Sequence, residues 1–265
     1  MKCVSQGGTR LRWALAFFAA ILLCTFTGAA QTTNGLSDAE IKGRQLALDI
    51  LQETPTENVT HTGTLRIRDS KGKTVNILVT FWTEVKNGDW TSLYRAVETN
   101  QPGEMFILYV VHQSGLPNQY KALRQSNTHV GESLIPSDIL TESQIWAPFA
   151  NSDFWIADLG LEFFHWPQQK VIKHESRRTR RCTVLESTNF IPSPGAYSRV
   201  VTWIDDESHA IVWAEAYDAN NKLLKEFDPK KIKKVHGQWE LEEMDIRNKQ
   251  TGSRTWITFD LNSKA

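Results

Sequence analysis

The chain has 265 residues, of which 40% are hydrophobic and 23% charged, and its 30 basic and 30 acidic residues cancel. This length allows one large domain or two small ones with a sizeable buried core. The balanced charge argues against binding nucleic acid through many phosphate contacts, and three cysteines exclude a disulfide-rich scaffold. We therefore expect a globular protein without a nucleic-acid partner.

The first thirty residues have the pattern of an export signal. Basic residues precede an apolar run from Trp13 to Phe26, and small residues end the segment at Ala30. The run is short for a membrane span, so a signal peptide is favoured and a retained anchor is the alternative. We predict a cleaved signal peptide at 1–30 and a single domain at 31–265. That domain keeps only Cys182, which leaves no internal disulfide.

One helix precedes a long series of strands. Ser37 and Glu40 form a capping-box pattern, apolar residues follow at near-helical spacing, and the helix ends before Pro55. Most of the remaining chain alternates between apolar and polar residues, with short turns such as Asn87-Gly88. The predicted strands are Val59–Arg68, Thr74–Val85, Trp90–Val97, Met105–Val111, Thr179–Leu185, Tyr197–Ile204, Ala210–Tyr217, Lys222–Phe227, Ile232–Arg247 with a break near Gly237, and Arg254–Leu261. Short connections favour antiparallel pairing, so we expect a large meander that closes or nearly closes on itself.

The strand Ile107–Val111 is apolar at every position. Both of its faces should have apolar neighbours, whereas an antiparallel strand usually has one wet face. The simpler explanation, which this strand alone favours, is a helix or loop that covers the outer face. The alternative is a sheet curved around an apolar hollow, with the helix across its mouth.

A second apolar region, Phe154–Trp166, concentrates aromatic residues and lacks clean two-residue alternation. It suits a mobile lid or plug over an apolar opening and, equally, a buried connection between two halves of a barrel. Tryptophans occur along the whole β-rich part, where they either pack the sheet or line a pocket. Between Gly115 and Pro148 the alternation weakens, and we expect a short helix near Ser137–Trp146.

No catalytic motif is present in the sequence. It lacks a glycine-rich phosphate loop, a nucleophile elbow and a zincin helix, and its seven histidines have no metal-ligand spacing. We predict no enzyme activity, no cofactor and no metal. Two basic stretches, at 177–181 and 230–234, either prevent aberrant strand pairing or attract anionic lipid headgroups.

Several short motifs follow one another in a characteristic order between Trp146 and Leu261. They are Phe149-Ala150-Asn151-Ser152-Asp153-Phe154, Asp158-Leu159, Cys182-x-x-Leu185-Glu186-Ser187, Val201-x-Trp203-Ile204-Asp205 and Ala214-Glu215-Ala216-Tyr217-Asp218. The first two resemble the F-x-x-S-D-F-x-x-x-D-L signature of exported outer-membrane lipoprotein-sorting-like proteins. The signal peptide and the capped helix fit the same family, the LolA-like superfamily of periplasmic lipoprotein carriers.

This resemblance implies an α+β, predominantly antiparallel β fold: an incomplete curved β-barrel with helices closing one side over an apolar cavity. It also implies a periplasmic carrier for lipid or lipoprotein acyl chains. The alternative is an envelope sensor or scaffold domain that binds a partner protein. The expected partners are therefore a lipid or acylated lipoprotein and an inner- or outer-membrane envelope protein.

The apolar and basic stretches supply the candidate binding residues. We predict ligand contacts at Ile107, Leu108, Val110, Val111, Phe154, Trp155, Phe163, Trp166, Trp203 and Trp213. We predict headgroup or membrane contacts at Arg177, Arg178, Arg180 and Arg181.

Overall fold

The computed structural model describes residues 35–86, 88–98, 104–126, 138–235 and 238–261. The predicted signal peptide lies outside these residues. Residues from 36 onward belong to one compact unit. None of the helices in the described ranges has the length and apolar character that crossing a bilayer requires.

Within these residues, twelve strands form one antiparallel sheet. They are β1 Val59–Arg68, β2 Thr74–Lys86, β3 Asp89–Glu98, β4 Glu104–His112, β5 Gln119–Ser126, β6 Gln168–Arg177, β7 Arg180–Thr188, β8 Arg199–Asp205, β9 Ile211–Tyr217, β10 Leu223–Val235, β11 Gln238–Asn248 and β12 Arg254–Asp260. The order across the sheet is β5-β4-β3-β2-β1-β12-β11-β10-β9-β8-β7-β6. In the described part of the chain β5 and β6 are edges that do not pair with each other. The predicted class is confirmed to this extent: the protein is mostly antiparallel sheet, not closed into a barrel.

The inner face of the sheet carries the main hydrophobic core. Leu65 in β1, Leu108 in β4, Leu185 in β7 and Ile246 in β11 are all 0% exposed and belong to one cluster. Because strands so far apart in the sheet order share one cluster, the sheet bends around this face. A smaller cluster covers the opposite face of β7, β8 and β9.

The chain between β5 and β6 fills part of the concave side, and we call residues 144–166 the connecting segment. It contains a one-turn helix, α2, at Ile156–Leu159, and 3₁₀ turns at Gln144–Trp146, Phe149–Asn151 and Glu162–His165. Phe149, Phe154 and Phe164 are at most 3% exposed and lie in the main cluster. Of the two interpretations of Phe154–Trp166, the structure shows the buried connection.

Helix α1 spans Asp38–Leu51 and begins at the predicted capping box. The Ser37 side chain accepts a hydrogen bond from the Glu40 backbone N–H, and the Glu40 carboxylate accepts one from the Ser37 N–H. The helix packs on β6 at Gly43, where a Cβ atom would lie 2.6 Å from the backbone carbonyl carbon of Gln169. Only glycine allows this close approach of helix and strand.

The sequence pattern misses the two edge strands and misplaces some boundaries. β6 is polar at most positions, since an edge strand has one strand neighbour and one open side. β10 continues beyond the predicted end at Phe227 because a bulge between Pro229 and Lys231 accommodates the proline within the sheet. The predicted helix near 137–146 is a 3₁₀ turn over Gln144–Trp146, and Ser137 lies outside the described residues.

Candidate ligand-binding site on the inner face of the sheet

An open cavity of about 670 Å³ lies against the inner face, and we call it the first cavity. Side chains from β1, β2, β3, β11 and β12 form its walls together with the connecting segment. Its hydrophobic lining residues are Val59, Phe81, Trp90, Tyr94, Phe154, Leu159, Leu161, Leu241, Met244, Ile257 and Phe259. Both the volume and the mostly apolar lining are typical of sites that bind small organic ligands.

Polar residues border the first cavity at one end of the sheet. His61 near the start of β1, Thr83 near the end of β2 and Glu240 near the start of β11 all line it. The antiparallel order places the β6–β7 turn and the end of β10 at this same end. The two basic stretches predicted from the sequence therefore lie at the end of the sheet where the cavity has its polar border.

A second cavity, of about 410 Å³, lies beside the first. It is lined by α1, by the β4–β5 loop and by the residues that lead into β6. Thr54 and Trp90 line both cavities, so the two spaces are neighbours. The ring of His112 stacks on Trp90 with 3.5 Å between ring centres and 12° between planes.

The F-x-x-S-D-F motif attaches the connecting segment to the sheet. The Phe149 N–H donates to the Phe154 carbonyl at 2.7 Å, and the Ser152 hydroxyl donates to the Phe149 carbonyl at 2.6 Å. The Asp153 carboxylate accepts a hydrogen bond of 2.7 Å from the Thr255 hydroxyl in β12. These residues give the segment a fixed position on the inner face and so shape the cavity wall.

A buried ion pair lies in that wall, where Asp158 itself lines the first cavity. One oxygen of Asp158 accepts hydrogen bonds from the Trp155 N–H at 2.7 Å and from the Tyr197 hydroxyl at 3.3 Å, and lies 3.6 Å from Lys225 Nζ. The ammonium also lies 3.7 Å from the centre of the Trp155 ring. Burial raises the pKa of Asp158 and lowers the pKa of Lys225 to about 8. Sequence reasoning missed Lys225, because nothing local marks a strand lysine as buried.

A second carboxyl group, half-buried, lies nearby on the same segment. The Tyr120 hydroxyl donates to Glu162 at 2.8 Å, and burial raises the pKa of Glu162 to about 7. Gly160 leaves room for this contact, because a Cβ atom there would overlap the Tyr120 ring and hydroxyl. The Asn118 amide donates to the Gly160 carbonyl at 2.7 Å and joins the segment to the β4–β5 loop.

The structure places the predicted ligand contacts in several environments. Phe154 lines the first cavity and Trp166 lines the second. The main hydrophobic cluster contains Leu108, Val110 and Phe163, and the partly buried Trp155 packs against it. Their part in ligand binding stays a prediction. The sequence pattern does not identify three other cavity-lining residues, Met244, Phe259 and His112.

The other four predicted ligand contacts lie away from the inner face. Ile107 and Val111 alternate with Leu108 and Val110 along β4, and so point to its opposite side. Trp203 and Trp213 belong to the cluster over β7–β9. The Arg177 guanidinium packs on both indole rings, 4.6 Å and 4.3 Å from their centres.

The remaining predicted headgroup arginines differ in how their charge is used. Arg178 forms an ion pair with the buried Asp228, and Arg180 donates to Asp205 at 2.7 Å. The Arg181 side chain is 89% exposed. Arg181, whose Nε lies 4.0 Å from the Asp206 carboxylate, offers the most accessible cation of this turn, while Arg178 is paired with the middle of β10 and Arg180 with the end of β8.

The chain is similar to known proteins over part or most of its length. A family model described only as an uncharacterized protein matches residues 139–262. No curated protein matches the chain. The structural class is an open antiparallel sheet around an inner cavity, and solved structures of this class match most of the chain.

Three of these structures illustrate the fold. A DUF1329 family protein from Desulfovibrio piger is 20% identical, with a TM-score of 0.65 over 85% of this chain and 92% of its own. A domain described as an outer membrane lipoprotein-sorting protein, from Vibrio parahaemolyticus, is 17% identical, with a TM-score of 0.66 over 85% and 95%. A LolA superfamily protein from Nitrosomonas europaea is 13% identical, with a TM-score of 0.54 over 84% and 92%. The predicted resemblance to lipoprotein-sorting proteins is thereby confirmed for the fold.

Proposed function

We propose that the protein is a periplasmic carrier that holds the acyl chain of a lipid or acylated lipoprotein in the first cavity. The observation that carries this proposal is an apolar cavity of about 670 Å³ on the inner face of an open sheet. Glu53 and Pro55, which follow α1, border the cavity, and in the proposal the helix and this tail cover the bound chain. The role requires no catalytic residue.

Burial of hydrocarbon supplies the binding energy in this account. Each methylene transferred from water contributes about 0.8 kcal/mol, so about ten buried methylenes contribute roughly 8 kcal/mol before the entropic cost of association. Phe81, Met244 and Phe259 provide apolar contacts from three different strands. An acyl chain therefore binds reversibly without covalent chemistry.

The basic end of the sheet supports a membrane-facing orientation. Arg181 is 89% exposed and Lys231 is 62% exposed, and both lie toward the end of the sheet with the polar cavity border. Their partners, Asp206 at 4.0 Å and Glu243 at 3.4 Å, form surface ion pairs that an anionic headgroup can replace. Each basic residue near an anionic membrane surface contributes about 1 kcal/mol of attraction. In the proposal these residues bring the cavity border to the headgroups from which a chain is taken or to which it is delivered.

Native mass spectrometry of the exported and purified protein tests the proposal. We expect masses of one bound lipid or acylated peptide per chain, lost on mild delipidation and regained when diacyl lipid is added back. Failure to retain any acylated molecule would contradict the carrier role. A stoichiometric crosslinked protein partner in the absence of lipid would instead favour the alternative, an envelope sensor or scaffold.

A further inference from the structure

The second cavity has a different chemical character from the first. Two histidines line it, His112 at the end of β4 and His165 at the end of the connecting segment. The first cavity is adjacent, because Trp90 lines both spaces and stacks on His112. A single elongated molecule that passes Trp90 would therefore contact both cavities.

Both imidazole rings have an unused hydrogen-bonding atom. Among the described residues, Nε2 of His112 and Nε2 of His165 are buried and have no hydrogen-bond partner. Other polar side chains of the same lining are bonded: Asn118 donates to the Gly160 carbonyl, and Gln169 both donates to the Phe163 carbonyl and accepts from Ser187. A buried polar atom without a partner costs free energy, which a polar ligand group would recover.

We propose that the second cavity binds the carbonyl end of the acyl chain, an ester or an amide, at His112 and His165. The hydrocarbon part of the same molecule then occupies the first cavity. This inference rests on the proposed carrier function and adds to it a site for the polar linkage.

The protonation state of the two rings indicates whether the bound polar group is neutral or charged. Burial lowers the pKa of His112 to about 4, with a smaller contribution from His165, and burial also lowers the pKa of His165. Burial outweighs the hydrogen bond between His112 and Asn118, and both lowered pKa values favour the neutral rings at pH 7. In the proposal each neutral ring carries its proton on Nε2 and donates it to the carbonyl oxygen. Arg44 also lines this cavity, and its guanidinium donates to the Pro167 carbonyl at 3.2 Å. The histidine pair itself supplies no cation and suits a neutral ester or amide.

A matched pair of probes tests the site. Monopalmitoylglycerol carries an ester carbonyl, and hexadecylglycerol has the same chain length and head but an ether linkage. We expect the protein to bind the ester about fivefold more tightly than the ether, the size of effect that one or two buried hydrogen bonds produce. N-palmitoyl-glycinamide, compared with the same ether, shows whether an amide-linked chain such as that of a lipoprotein is recognised as well.

The double variant His112→Phe/His165→Phe should remove the preference for ester over ether. Phenylalanine keeps a ring against Trp90, and His174→Phe on exposed β6 is the control that should bind as the parent does. If the double variant fails to fold, ring NMR signals of His112 and His165 in the parent replace it. They should shift with the ester and not with the ether.

The outcomes separate this inference from the carrier function. Equal affinity for ester and ether in the parent, or an ester preference that survives in the double variant, would overturn the carbonyl site while the carrier function stands. Histidine signals that respond alike to both probes would overturn it as well. If neither probe binds, both proposals fail.

Discussion

At the scale of single residues, buried ionisable groups make the stability of this protein depend on pH. Glu162 has its pKa raised from 4.5 to about 7 by burial, so the folded chain holds a proton that the unfolded chain releases. Between pH 4.5 and pH 7 the unfolded state binds fewer protons. The free energy of unfolding therefore falls as pH rises through this window and levels off above it.

Replacing the Glu162 carboxyl group removes its contribution to the pH dependence of the free energy of unfolding. Glu162→Gln keeps an acceptor for Tyr120 and removes the titration, so we expect the variant to match the parent near pH 5 and to be about 2 kcal/mol more stable at pH 8. Urea unfolding at the two pH values measures this. Glu57→Gln, on an exposed residue, is the control, and a Glu162→Gln variant with the parent's pH profile would disprove the assignment.

The second prediction at this scale is about the contribution of the Asp158–Lys225 ion pair to stability. Lys225→Met leaves the Asp158 carboxylate buried without its cation, and we expect a loss of about 3 kcal/mol in the free energy of unfolding. The double variant Asp158→Asn/Lys225→Met should recover most of that loss, because asparagine still accepts from Trp155 and Tyr197. Denaturation at pH 7 compares the three proteins. A double variant as unstable as the single one would show that charge is not the cause.

At the scale of secondary-structure elements, the contact between α1 and β6 depends on one glycine. Alanine is about 1 kcal/mol better than glycine inside a helix, yet a Cβ atom at Gly43 would meet the β6 backbone at 2.6 Å. We expect Gly43→Ala to lower the free energy of unfolding by about 2 kcal/mol, since neither backbone can easily move. Lys42→Ala on the exposed side is the control. A Gly43→Ala variant more stable than the parent would contradict this packing.

The local sequence pattern predicts strands that have one buried and one exposed face. It does not predict strands whose two faces are similar in polarity. β1 and β2 have buried residues such as Leu65 and Ile77 alternating with exposed ones, and the sequence places both strands well. β6 escapes prediction because its single strand neighbour leaves most positions polar. The capping box at Ser37 predicts the start of α1, since the bonds that define it lie within four residues.

The residues of the candidate site are harder to predict from local pattern than the strands are. Phe154 is predictable because it belongs to a local concentration of aromatic residues. Met244, His112 and Lys225 reach the inner face from three strands, and only long-range pairing brings them together. Trp203 and Trp213 demonstrate the reverse case, since an aromatic strand residue has the same sequence pattern whichever face it occupies.

At the scale of the whole molecule, the proposed binding of an acyl chain depends on open space inside a bent sheet. Met244 lines the first cavity from β11, and Met244→Trp would fill that space with a larger side chain. Leu78 is 55% exposed on the outer side of β2, so Leu78→Trp adds the same bulk away from the cavity.

The most direct measurement is therefore the dissociation constant of monopalmitoylglycerol for the parent and these two variants, with thermal unfolding to confirm that each is folded. We expect Met244→Trp to weaken binding by about tenfold or more, equivalent to about 1.4 kcal/mol, and Leu78→Trp to bind as the parent does. A folded Met244→Trp variant with the parent's affinity would contradict the proposed binding of an acyl chain in the first cavity.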